Sequence, residues 1–72
     1  MVMRTLEMRE ICFKVEKELR EKVKKQLEDL YGNELGIFIK GEEVCVRGDL
    51  HNYKKRNKIL FILSGGKYGK NI

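Results

Sequence analysis

An apolar stripe constrains this chain most. Leu19, Val23, Leu27 and Leu30 recur at spacings of four, four and three, the period that lines one side of an α-helix. The spacing predicts a helix over 16–31. Glu16–Arg20, Glu18–Lys22 and Glu21–Lys25 are i,i+4 pairs in the favourable order, each worth roughly 0.2–0.5 kcal/mol. Gly32 follows, where a left-handed C-cap favours glycine, and Asn33 is a further breaker. A helix with one apolar side needs a surface to lie on, and the flanking segments offer one.

Those segments alternate with period two. In 11–15, Ile11, Phe13 and Val15 face one way and Cys12 and Lys14 the other. Residues 37–39 and 44–46 are strand-like, and Lys40-Gly41-Glu42-Glu43 closes a hairpin in which Gly41 can take positive φ. The second strand stops at Gly48-Asp49, and Asp49 is placed to cap one or two helical turns from Leu50. Residues 58–63 then read as a last strand or as the end of a helix begun at Leu50. Their unbroken apolar run and β-branched isoleucines favour the strand. Residues 1–8 would extend the first strand, pair beside it or fray. The fold class expected is α+β: a small three- to four-stranded, mainly antiparallel sheet with one amphipathic helix packed on one face, ordered β-α-β-β-(short α)-β. Ile11, Phe13, Val15, Ile37, Ile39, Val44 and Val46 fit the covered face.

At 72 residues the chain holds one domain, 1–72, with an ordered core over about 9–63 and a flexible basic tail over 64–72. So small a core leaves little room for a deep catalytic cleft, so a non-enzymatic binding module is expected. The longest apolar run, 59–63, is far short of a membrane span. No secretory pattern is visible, which predicts a cytoplasmic protein with Cys12 and Cys45 reduced. No cofactor is implied. Zinc sites pair cysteines closely, whereas Cys12 and Cys45 stand far apart and single, with His51 the one other soft ligand beyond methionine, so no metal site is expected.

Charge carries the functional clue. Residues 1–39 hold eight basic and eight acidic side chains and balance. Beyond residue 49 stand Lys54, Lys55, Arg56, Lys58, Lys67 and Lys70 and no acid. An acid-free third makes a local positive field suited to a polyanion, or serves solubility alone. The glycine-lysine run 64–70 lacks the spacing of a phosphate loop. Arg47-Gly48-Asp49 reads as a strand end and turn rather than an adhesion signal. On the uncovered sheet face, alternation places Phe38 among Lys14, Lys40 and Arg47, with Cys45. Rings that stack on bases beside cations that hold phosphates are the chemistry of RNA-binding sheets.

The stretch 19–56 resembles the core of the Sui-type small translation initiation factors. A Lys-rich helix ending Leu30-Tyr31-Gly32 leads to a hairpin around Gly41, then Gly48-Asp49, then Lys54-Lys55-Arg56. That family's paired glycines after the helix are replaced by Asn33 and Glu34, and the strand-like 59–63 departs from the family's last helix. A K-homology-like module shares the helix-then-hairpin order, without a G-x-x-G loop before a helix. Either resemblance implies an RNA or ribosome ligand.

The sequence thus predicts a small basic nucleic-acid-binding module, RNA or ribosome before DNA. Lys40, Arg47, Lys54, Lys55, Arg56, Lys58, Lys67 and Lys70 would meet phosphates. Phe38, Tyr53 and Tyr68 would stack on bases. The competing expectation is a protein-interaction module or homodimer using the open sheet face.

Overall fold

The computed structural model describes residues 8–69. Residues 1–7 and the expected phosphate ligand Lys70 lie outside the described residues. Five elements follow in order: β1 (Met8–Lys14), α1 (Lys17–Tyr31), β2 (Gly36–Lys40), β3 (Glu43–Asp49) and α2 (Tyr53–Leu63). The strands form one antiparallel sheet in the order β1-β3-β2. This is the small α+β fold the alternation implies, with both helices on one face.

The hairpin closes as its glycine suggests. Lys40 pairs with Glu43, leaving a two-residue loop in which Gly41 has φ +60° and Glu42 a negative φ. A glycine at positive φ in the first loop position suits the twist of the strands. Arg20 ties this turn to the start of α1: its Nε–H is shared between the carbonyls of Val15 at 2.8 Å and Glu42 at 3.2 Å. The Val15 N–H adds a bond to the Glu42 carbonyl at 3.1 Å.

The core lies between the sheet and the two helices. Val44 and Val46 from β3, Leu27 from α1, Ile59 from α2 and the connecting Leu50 are all fully buried. Ile11, Phe13, Ile37 and Ile39 pack around them, so the covered face is the one alternation selects. Burying one such aliphatic side chain stabilises by roughly 1.5–3 kcal/mol.

Three expectations need correction. First, 58–63 is not a strand but the end of helix α2. Ile59 and Leu63, spaced four apart, enter the core from one side of the helix, and Ile62 packs beside them. Phe61 gains cover from the returning chain at Gly66. An apolar run can therefore be helical when most of its circumference finds contacts. Second, α2 is capped by Asn52, whose side-chain carbonyl accepts the Lys55 N–H at 3.1 Å. Asp49 caps nothing in α2, because the chain stays non-helical through 50–52. Third, Gly32 ends α1 in the right-handed region, φ −59°, with its N–H donated to the Glu28 carbonyl at 2.8 Å. The glycine there suits close approach rather than positive φ.

The cysteines also differ from expectation. Cys12 and Cys45 are directly opposite each other on β1 and β3 and form a disulfide. Both lie on the face away from the helices, and the ladder brings their Cα atoms to 4.1 Å. The link closes a loop with a sequence separation of 33, for which chain entropy gives about 3–4 kcal/mol. Reduction with intact sequence, or Cys12→Ser, should lower the urea-unfolding free energy by about 2–4 kcal/mol.

Gly48 is a strand position that resists a side chain. It sits in β3 at φ +148°, and a Cβ there would lie 2.7 Å from Leu35 Cδ2. Gly48→Ala should destabilise the protein by about 1–3 kcal/mol in the same unfolding measurement.

Candidate nucleic-acid interface

The expected ligand-binding residues fall on separate surfaces. Tyr53, Lys54, Lys55, Arg56 and Lys58 come together in the first turns of α2. Phe38, Lys40 and Arg47 lie on the opposite side of the sheet, away from the helices. Lys67 and Tyr68 belong to the segment that turns back after α2.

The α2 cluster is the concentrated one. The helix opens with cations and has no acidic residue in its first turn. A helix N-terminus carries a partial positive charge, so each cation there opposes the dipole by roughly 0.3–1 kcal/mol when exposed. Lys55 is the compensated member: its Nζ lies 2.6 Å from Glu34 Oε1 in the α1–β2 connection. No such carboxylate pairs with Lys54, Arg56 or Lys58 among the described residues. Tyr53, the first residue of α2, is 60% exposed.

Next to this cluster Asp49 closes a local turn. Its Oδ1 accepts the His51 backbone N–H at 3.2 Å and lies 2.7 Å from His51 Nδ1. The bond to the His51 side chain is the main force holding the Asp49 carboxyl below its usual range. Partial burial opposes it, and the His51 N–H and the charges of His51 and Lys55 assist.

The open sheet face is a chequerboard rather than a basic surface. Glu10 is directly opposite Arg47, and Glu43 stands between Lys14 and Lys40. Between these rows run Cys12, Cys45 and Phe38, with Cys45 fully buried. The alternation that selects Phe38, Lys40 and Arg47 also brings Glu10 and Glu43 to this face, which the sequence reading left out. One group of metal-type donors stands here: the Glu10 carboxylate and the two sulfurs lie within 4.8 Å of one another. The disulfide occupies both sulfurs, so no thiolate is available while it is intact.

The tail segment packs in place through Gly69. Ser64 Oγ accepts the Tyr68 N–H at 2.9 Å, and the Tyr68 ring lies 5.8 Å from that of Phe13. Gly69 approaches the Asn57 carbonyl so closely that no side chain fits there. An apolar cleft of about 480 Å³ opens between this segment and the start of α1, lined by Phe13, Val15, Leu19, Val23 and Ile62. From α2 it takes only the end of the helix, Ile62 and Leu63, not the cations of its first turns.

No protein-family model, curated protein or solved structure matches the chain. No helix among the described residues is long and apolar enough to cross a membrane.

Asp49 offers a direct electrostatic check. A carboxyl with a lowered folded-state pKa stabilises the fold above its unfolded value, and that contribution is lost as pH falls through the folded value. In a carboxyl-carbon NMR titration Asp49 should therefore titrate below 3.8. His51→Ala should move it back toward that value.

Proposed function

We propose that the protein is a non-enzymatic nucleic-acid-binding module that holds single-stranded RNA at the start of α2. The observation that carries this reading is the cationic opening of that helix, Lys54, Lys55 and Arg56 with Lys58 one turn on and no acid beyond residue 49. Cations placed against a helix dipole gain nothing for the fold. A phosphate bound there reverses the sign, because backbone N–H groups and side-chain charges then act together. Tyr53 supplies an adjacent exposed ring on which a base can stack. Lys67 and Tyr68 would extend the contact only if the strand runs the length of α2.

Phe38, Lys40 and Arg47 have no part in this site. They lie across the sheet from α2, and their charges are opposed by Glu43 and Glu10. The likeness to the Sui-type factors enters this proposal through the element order. The helix that the family places after its glycine-aspartate pair is present here as Tyr53–Leu63, following Gly48 and Asp49. A cytoplasmic ribosomal RNA ligand is the corresponding proposal.

Fluorescence anisotropy with a labelled single-stranded RNA and a duplex DNA, across a salt series, tests the reading. Three phosphate contacts predict a log–log salt slope of about −2 for the single strand. Lys54→Ala with Arg56→Ala should remove most of that slope, whereas Lys55→Ala, which loses a partner of Glu34, should do less. Unchanged affinity in the double variant at low salt would overturn the site.

A further inference from the structure

The open sheet face has a charge pattern that matches itself. Three rows cross all three strands: Glu10, Arg47 and Gly36; Cys12, Cys45 and Phe38; Lys14, Glu43 and Lys40; a fourth, Met8 level with Asp49, crosses only β1 and β3 at the far end and has no counterpart beyond Lys14. Rows are two residues apart along each strand, about 6.8 Å. The acids and bases of the outer rows are thus exchanged about the central apolar row. Among the described residues no helix covers this face, since α1 and α2 pack on the other side.

We infer that this face binds a second copy of the chain, sheet on sheet, about a twofold axis running along the Cys12, Cys45 and Phe38 row. That axis lays each strand over its own copy in the reverse direction. Glu10 then meets the partner's Lys14, and Arg47 meets the partner's Glu43, each contact occurring twice. Phe38 packs on the partner's Phe38, and the two disulfides stack beside them. Lys40 crosses Gly36 of the partner subunit, which offers space and no like charge. The other in-plane twofold, parallel to the strands, sets Arg47 on Arg47, Glu43 on Glu43 and Lys14 on Lys40. Like charges in contact disfavour that arrangement, so the charge pattern selects one register. Sheets packed face to face sit about 10 Å apart at roughly 30°, which keeps these long side chains within reach.

The face is small, so the dimer should form at micromolar rather than nanomolar concentration. The inference does not depend on the RNA site, which lies across the sheet and stays open in such a dimer.

A charge swap tests both face and register. Sedimentation equilibrium of the oxidised wild-type chain should show a mass approaching twice 8.5 kDa as concentration rises through the micromolar range. Arg47→Glu sets two glutamates together across the axis, and Glu43→Arg sets two arginines together, so each variant alone should dimerise at least about tenfold more weakly. An equimolar mixture of the two variants should restore the dimer, because each new charge then faces its opposite. Circular dichroism confirms that each variant is folded, and Phe38→Lys provides a separate disruption at the centre. A wild-type chain that stays monomeric at hundreds of micromolar overturns the inference. So does a wild-type dimer that both charge variants leave intact, or a mixture that fails to recover. If removal of residues 1–7 is needed before the chain dimerises, that segment rather than a second copy occupies the face, and the inference is equally overturned.

Discussion

Strand β3 is the constraint on which the rest of the structure depends. It is hydrogen-bonded on both edges, and Val44, Cys45 and Val46 are three consecutive residues with no exposed surface. A strand buried on both faces must satisfy two different environments. Val44 and Val46 meet Leu27 and Ile59 in the core. Cys45 lies on the other face, bonded to Cys12 and level with Phe38 in the ladder. The disulfide thus fastens the edge strand β1 to β3 on the face away from α1 and α2.

This arrangement separates two kinds of surface. The helix side hides apolar area and puts uncompensated cations at the mouth of α2. The sheet side intersperses acids and bases in rows around an apolar centre. The excess of cations on the first, even with Glu34 paired to Lys55, is what the proposed polyanion site would use. A face of mixed, patterned charge instead selects for register, the property the proposed self-contact would use. Both readings come from where charges stand relative to one another, not from how many there are.

Much of this was legible in the sequence. The helix stripe placed α1 to within a residue, and period-two alternation selected the covered-face residues from Ile11 to Val46. Two features were hidden for physical reasons. The run 59–63 has no period, so helix and strand differ only in what surrounds them, and that is a tertiary property. Pairing of β1 with β3 is long-range, so Cys12 and Cys45 could be placed on one face yet not opposite each other. The basic cluster was visible as composition. Its position at the opening of a helix was not, because that depended on reading 59–63 as helical.

Chemical-shift mapping of backbone amides during titration with single-stranded RNA at low salt locates the bound strand. Amides of Tyr53, Lys54 and Arg56 should shift in proportion to bound RNA while those of Phe38 and Cys45 stay fixed. Shifts centred on the open sheet face, or none at the start of α2, would contradict it.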